Sequence, residues 1–165
     1  MKRSPAPSLV GVALLFVALT VSGCATGRKE HARRIPERNV PSIWPVRYPD
    51  LRITSRFGDA RDANHHHNGI DIAAPKGTPV LAAANGKVIS REQASGYGRL
   101  VRIAHGDGLE TWYAHLQSWN VKPGKKMKCG QRIGKVGKSG NATAPHLHYE
   151  VRINGRPVNP EVYLP

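Results

Sequence analysis

The stretch His146-Leu147-His148-Tyr149-Glu150-Val151, at residues 146–151, is read as a β-strand. In a strand, His146 and His148 project from one face and Leu147 projects from the other. A second stretch, His67-Asn68-Gly69-Ile70-Asp71, places a histidine and an aspartate four residues apart, and Gly69 permits a turn that brings both side chains together. Two imidazoles and a carboxylate can hold a divalent metal such as Zn²⁺ while a coordination position stays open for water. The two stretches predict a three-ligand metal site with spare imidazoles beside it.

The same period of two appears in Tyr113-Ala114-His115-Leu116. It predicts that His115 shares a strand face with Tyr113 and that Leu116 lies on the opposite face. Taken alone, a single histidine such as His115 is ordinarily a surface or core residue. It becomes a candidate for catalysis because it accompanies the other site candidates in one pattern.

Short β-rich segments punctuated by Gly, Pro, Asn and Asp fill the chain after Trp44. No segment keeps a helical period for three turns, and the pairs Asp107-Gly108 and Asn154-Gly155 are typical of hairpin turns. The sequence therefore predicts a compact, all-β, antiparallel fold. The predicted strands cover residues 53–56, 69–73, 79–82, 86–93, 99–104, 109–116, 132–137 and 146–153.

Five motifs occur in a fixed order: Ser55-Arg56-Phe57-Gly58, His67-x-Gly69-x-Asp71, Gly96-Tyr97-Gly98, Tyr113-Ala114-His115-Leu116 and Pro145-His146-Leu147-His148-Tyr149-Glu150. With these motifs the segment from about residue 53 to residue 165 resembles the lysostaphin/LytM-type zinc metallopeptidase domain, whose members cut peptide bonds in bacterial peptidoglycan. The resemblance implies a sandwich of the duplicated hybrid motif type. One departure is Ala144, where the family usually has glycine; we expect a small change of loop geometry and no loss of a ligand.

The resemblance also implies the roles of the site residues. His67, Asp71 and His148 would be the ligands of one Zn²⁺ per domain, and His115 and His146 would be the catalytic imidazoles. Glu150 shares a strand face with His148 and is a candidate partner for an imidazole N–H, although a surface ion pair would also explain it. The implied reaction is zinc-dependent hydrolysis of peptide cross-links or stem peptides of peptidoglycan.

Other motifs do not fit. His65 and His66 lack the Gly69/Asp71 spacing and are expected to be exposed loop residues, while His105 begins a turn sequence and is expected to be structural. The sequence contains no His-Glu-x-x-His, no Gly-x-Ser-x-Gly and no complete P-loop.

The formal net charge of the 165 residues is +14. Such a balance predicts a polyanionic partner, which could be nucleic acid, anionic lipid or the acidic wall polymer. The sequence has no aromatic RNA-binding signature, no Cys/His finger and no basic helix, so no nucleic-acid partner is expected. Peptidoglycan is the expected partner, and regulatory wall proteins are possible further partners.

Residues 1–23 are predicted to be a lipoprotein signal peptide. Lys2 and Arg3 precede an uncharged apolar run at residues 9–21, which is too short to span a bilayer comfortably. The ending Val21-Ser22-Gly23-Cys24 resembles a bacterial lipobox, in which Cys24 is lipidated; a plain signal peptide or an uncleaved anchor are the alternatives. Residues 24–45 are predicted to be a basic flexible tether and residues 46–165 the peptidase domain. We expect an envelope protein anchored in the outer membrane and facing the periplasm.

A non-catalytic relative that binds the wall and activates an amidase is the main alternative function. Such members lose metal or catalytic residues, whereas all five positions are filled here. A wall-anchoring lipoprotein with a vestigial zinc site is a third reading.

Overall fold

The computed structural model of the protein describes residues 35–165. The predicted signal peptide, Cys24 and residues 24–34 of the predicted tether lie outside the described residues. Within residues 35–165, no helix is long and apolar enough to cross a membrane.

The regular structure of residues 35–165 consists of β-strands and two short 3₁₀ helices, so the predicted all-β fold class is confirmed. In chain order the elements are a 3₁₀ helix at Glu37–Asn39, β1 (Arg52–Ser55), β2 (Ile70–Ala73), β3 (Pro79–Leu81), β4 (Gly86–Ala94), β5 (Gly98–Gly106), β6 (Leu109–Ala114), β7 (Leu116–Trp119), β8 (Lys126–Met127), β9 (Arg132–Val136), β10 (His146–Ile153), β11 (Arg156–Val158) and a 3₁₀ helix at Pro160–Tyr163.

The strands form two antiparallel sheets. The larger sheet has the order β1-β2-β10-β6-β5-β4-β8, with β11 paired to the end of β10, and the smaller sheet has the order β3-β9-β7. β10 therefore lies between β2 and β6 in the larger sheet. This position brings residues from distant parts of the sequence onto neighbouring strands.

One hydrophobic core joins the two sheets. Ile72, Leu147 and Tyr149 of the larger sheet and Val80 and Ile133 of the smaller sheet belong to the same buried cluster, and each is fully buried. The alternation along β10 places Leu147 and Tyr149 in this core, so the intervening His148 and Glu150 project to the other face of the sheet. The core thus fixes the direction in which the site residues point.

Both hairpin predictions are confirmed. Asp107-Gly108 connects β5 to β6 and Asn154-Gly155 connects β10 to β11, and all four residues have positive φ. Two-residue hairpin loops favour such backbone angles because their twist matches that of the strands.

The single strand predicted over residues 109–116 is wrong at its end. His115 has φ +59°, in the left-handed region, and it separates β6 from β7, which belong to different sheets. The break means that the period of two does not extend through His115 to Leu116. It also turns the His115 side chain out of the strand alternation.

Residues 35–45, which the sequence analysis placed in the tether, pack against the domain. Pro41 and Pro45 are buried, and the Asn39 side chain donates a hydrogen bond to the carbonyl of His105 over 3.0 Å. The Trp44 indole donates to the carbonyl of Pro165 over 3.0 Å. The packed part of the chain therefore begins before residue 46. Residues 35–45 show no strand or helix period in the sequence, and buried prolines and long-range hydrogen bonds hold them in place.

Candidate metal and catalytic site

Three donor atoms converge at the centre of the site. His67 Nε2 lies 3.0 Å from His148 Nδ1 and 3.1 Å from Asp71 Oδ1, and the last two atoms are 2.8 Å apart. A tetrahedral zinc ion with ligand distances of about 2.0–2.1 Å separates its ligand atoms by roughly 3.3 Å. Two imidazole nitrogens and a carboxylate oxygen are also the donor types that zinc accepts. The three buried side chains thus fit a single ion in both spacing and chemistry.

Strand pairing sets this convergence. His148 of β10 lies directly opposite Asp71 of β2 in the antiparallel register. His67 approaches from the loop before β2, where Gly69 passes close to β10: a Cβ atom on Gly69 would lie 2.3 Å from the carbonyl oxygen of Tyr149. Only glycine fits at this position, so Gly69 serves close backbone approach; its φ is not positive, and Asn68 and Gly69 form a bend instead of the predicted turn.

The outer nitrogens of both imidazoles are held by hydrogen bonds. His67 Nδ1 donates to the carbonyl of Arg56 over 2.9 Å, and His148 Nε2 donates to Glu150 Oε1 over 2.9 Å. These bonds fix the ring orientations and leave His67 Nε2 and His148 Nδ1 as the donors to an ion. The predicted contact between Glu150 and an imidazole N–H is present, and Glu150 is fully buried, which excludes the alternative of a surface ion pair.

Glu150 links the donor set to a wider network. Its Oε1 also accepts a hydrogen bond from the Tyr97 hydroxyl over 2.8 Å, and its Oε2 accepts one from Arg152 Nε over 2.6 Å. The Arg152 guanidinium lies over the Trp112 ring at 3.9 Å from its centroid. A buried carboxylate with three donors is held in one orientation, and it holds His148 in turn.

His115 and His146 lie beside the donor set. Their ring centroids are 4.7 Å apart, and His146 Nε2 is 3.6 Å from Asp71 Oδ1. His115 Nδ1 donates to the carbonyl of Ser139 over 2.7 Å and His146 Nδ1 donates to that of Ala144 over 2.9 Å. The Nε2 atom of each ring is therefore the one left to accept or donate a proton in the recess.

Charges at the site are strongly coupled. Burial alone would raise the pKa of Asp71, but hydrogen bonds with His148 and His67 outweigh burial and hold this pKa below its ordinary value. Burial alone would lower the pKa of His148, but contacts with Asp71 and Glu150 outweigh it and raise that pKa. Because metal ligands must be deprotonated, an ion held here would require His148 Nδ1 to be free of a proton. Burial lowers the pKa of His115 to about 4, so this imidazole is neutral at neutral pH.

The five predicted site residues lie together in a recess of about 420 Å³. Residues that the sequence analysis did not select also line it: Arg61, His66, Asn68, Tyr97, Asn141 and Thr143. Arg61 Nη2 lies 2.7 Å from Asp71 Oδ2, the carboxylate oxygen that does not face the two imidazoles. Tyr97 stood within the Gly96-Tyr97-Gly98 motif, whereas no local pattern around Arg61 indicated its contact.

The remaining histidines of residues 35–165 agree with their predicted exposed or structural roles, and His66 in addition borders the recess. His65 is exposed and contacts Asp62, and His66 is exposed but borders the recess. His105 is buried between the carbonyl of Asn85 and the hydroxyl of Thr111, at 2.6 and 2.7 Å, which agrees with a structural role.

An antiparallel β-domain with a His/Asp/His donor set and two adjacent imidazoles has the features of a metallopeptidase domain. Residues 65–160 match peptidase family M23, and the chain belongs to this family. The resemblance to lysostaphin/LytM-type domains is confirmed by the catalytic domain of lysostaphin from Staphylococcus simulans, which is 31% identical with a TM-score of 0.64 over 68% of this chain and 91% of that one. A zinc containing peptidase from Vibrio cholerae is 36% identical with a TM-score of 0.67, over 73% of this chain and 39% of that one.

Two relatives differ in their described activity. The DD-carboxypeptidase/endopeptidase Mpg of Neisseria meningitidis is 45% identical over 141 residues, which cover 82% of this chain and 32% of the relative. The murein hydrolase activator EnvC of Escherichia coli is 38% identical over 123 residues, which cover 74% of this chain and 29% of EnvC. The chain thus spans about a third of the length of these relatives. Family membership alone therefore leaves both hydrolysis and activation as functions to be weighed.

Proposed function

We propose that the protein is a zinc-dependent endopeptidase that hydrolyses peptide cross-links or stem peptides of bacterial peptidoglycan. The observation that carries this proposal is the convergence of His67 Nε2, Asp71 Oδ1 and His148 Nδ1 within 3.1 Å of one another. His115 and His146 beside them supply the proton-transfer groups that a metal site alone lacks. The similarity to Mpg and to a zinc containing peptidase supports the same reaction and metal.

We assign the roles from position and protonation. A zinc ion held by His67, Asp71 and His148 would polarise the scissile carbonyl and increase the acidity of water. His115, neutral because its pKa is lowered to about 4, can accept a proton through Nε2. His146 lies next to His115 in the same recess, with ring centroids 4.7 Å apart, and it can donate a hydrogen bond to the oxygen that becomes negative.

The alternative is a non-catalytic domain that binds the wall and activates an amidase, and the similarity to EnvC is the observation that favours it. An activator needs neither the donor set nor the two free imidazoles. This chain carries all five side chains and the buried Glu150 that orients His148. Burying such a polar network costs free energy, and an activator would gain nothing from it, so the network favours hydrolysis over activation.

Digestion of purified sacculi tests the proposal. A soluble form beginning at residue 25 is incubated with sacculi and zinc, and the products are separated and analysed by mass. We expect cross-linked muropeptides to decrease and no stem to be released whole from the glycan, with His115→Ala as the matched inactive control. Intact cross-links, together with stimulation of an added amidase, would support the activator instead. Stems released whole would change the reaction class to amidase.

We also propose that the protein is lipidated at Cys24 and held in the outer membrane, facing the periplasm. The support is the sequence of residues 1–24 alone. Cys24→Ser should leave the precursor unprocessed and mislocalised, as followed by membrane fractionation. Normal maturation and membrane retention of that variant would contradict this proposal.

A further inference from the structure

A surface of basic residues lies along β4 and β8, away from the candidate site. Two neighbouring recesses form it, and no acidic side chain lines either of them. The recesses are neighbours because Lys125, which lines one, is next in sequence to Lys126, which lines the other, and because the backbone of Lys125 and Gly124 bonds to Val88 of β4. We call it the β4–β8 basic surface; its members are Arg38, Lys87, Arg91, Lys122, Lys125, Lys126 and Lys128.

The arrangement of these charges is electrostatically unfavourable for the isolated domain. Lys87 of β4 and Lys126 of β8 are directly opposite each other in the antiparallel register, and both are exposed. Like charges in directly opposed strand positions destabilise a sheet. Within residues 35–165, none of the seven basic residues forms an ion pair, whereas Arg56, Arg61, Arg102 and Arg152 are each paired with a carboxylate. The positive charge of this surface is therefore available to an anionic partner.

The position of the chain relative to this surface indicates the partner. Arg38 lines the same recess as Lys87, and the carbonyl of Arg38 accepts a hydrogen bond from the backbone of Asn85, so the described chain enters the domain here. The preceding residues 25–34 contain four arginines or lysines and one glutamate. From Cys24 to Ile35, eleven residues can span at most about 40 Å. With Cys24 lipidated as proposed above, the point where the chain enters the domain would lie within about 40 Å of the headgroups, so this surface could reach them.

The candidate site lies elsewhere in the sheet. β10, which carries His148, is separated from β4 by β6 and β5, a distance of roughly 14 Å at the usual strand spacing. We propose that the β4–β8 basic surface docks on the anionic lipid phosphates of the membrane and leaves the recess with His67 and His148 accessible to substrate. The interaction does not depend on the reaction that the site performs.

Vesicle binding tests this inference with the unacylated form beginning at residue 25, which retains the whole compact unit of residues 33–165. Vesicles of phosphatidylethanolamine with or without phosphatidylglycerol are sedimented with the protein. The variant Lys87→Gln/Lys126→Gln/Lys128→Gln is compared with Lys76→Gln/Lys135→Gln/Arg156→Gln, which removes the same charge from exposed residues that line neither recess. A basic residue near an anionic surface contributes about fivefold in partition, so we expect about a hundredfold loss for the first variant.

The control variant should keep most of the binding to phosphatidylglycerol vesicles. Equal losses in both variants would show that only net charge matters and would overturn the docking surface. Absence of binding by the wild-type protein would also overturn it. If the first variant instead lost binding to purified sacculi while vesicle binding stayed unchanged, the partner would be the wall polymer and the lipid assignment would be wrong.

Two further measurements separate this result from folding and from the proposed reaction. Removal of the opposed Lys87/Lys126 pair relieves repulsion, so the thermal unfolding midpoint of the first variant should equal or exceed that of the wild type. Hydrolysis of soluble wall fragments should be the same in both variants. A protein that fails to hydrolyse the wall but binds vesicles through this surface would refute the proposed function and leave the docking surface standing.

Discussion

Glu150→Gln isolates the effect of one hydrogen bond on the affinity for zinc. The two Glu150 oxygens accept from His148 Nε2 at 2.9 Å, from Tyr97 at 2.8 Å and from Arg152 Nε at 2.6 Å. Glutamine has nearly the same shape but only one oxygen. Arg152 cannot accept a hydrogen bond, so the amide oxygen must face it and the amide NH₂ must face His148. His148 then has to accept through Nε2, which moves its proton to Nδ1, the atom that would bind the ion.

Loss of such an orienting partner typically reduces metal affinity by about 10- to 100-fold, or roughly 1.4–2.7 kcal/mol. We expect a decrease of this size in a competitive titration with a zinc chelator at neutral pH. Glu110→Gln is the matched control, because Glu110 contacts Arg102 and Trp112 on the same sheet but no predicted ligand. Unchanged zinc affinity in Glu150→Gln, or an equal loss in Glu110→Gln, would refute the reasoning. Circular dichroism of both variants verifies that they fold.

Two other predictions concern the ligand set and a buried histidine. We expect zinc and activity to be lost together in the three ligand variants, His67→Ala, Asp71→Ala and His148→Ala. The variants His115→Ala and His146→Ala should keep zinc and lose about 10²- to 10⁴-fold in rate. Metal analysis of the purified variants tests this, and zinc missing from His115→Ala would show that the ligands are wrongly assigned. Burial lowers the pKa of His105 below its ordinary value and outweighs the Asn85 carbonyl and Glu110, which would raise it. As pH falls, His105 is therefore protonated in the unfolded chain at a higher pH than in the folded protein. Its contribution to stability should therefore be lost as pH falls below about 6.5, and chemical denaturation across that range should show a weaker pH dependence in His105→Gln than in the wild type.

The sequence predicted which candidate site residues share a strand face where a period of two applied. Alternation along β10 placed His148 and Glu150 on one face, and the close approach of Gly69 to β10 lets His67 reach Asp71. The sequence did not predict the features that depend on tertiary contacts. Residues 35–45 are ordered by the burial of Pro41 and Pro45 and by the bond from Asn39 to His105, none of which produces a local period. The Arg61–Asp71 contact likewise depends on how a loop folds back, and β8, at two residues, is too short to give a pattern.

The backbone at His115 offers a further test of whether its imidazole is catalytic. A non-glycine residue in the left-handed region is disfavoured by about 1–2 kcal/mol, and the φ of His115 is +59°. His115→Gly and His115→Ala both remove the imidazole, but only glycine relieves the backbone, so the glycine variant should be more stable than the alanine variant by about 1 kcal/mol. At Lys135, within strand β9, the order should reverse because glycine gains flexibility in the unfolded state. Both His115 variants should retain zinc and lose hydrolysis. If His115→Gly is also more stable than His115→Ala, the backbone is strained at a residue whose imidazole takes part in the reaction. Equal stability of the two His115 variants in urea unfolding would show that no such strain is present.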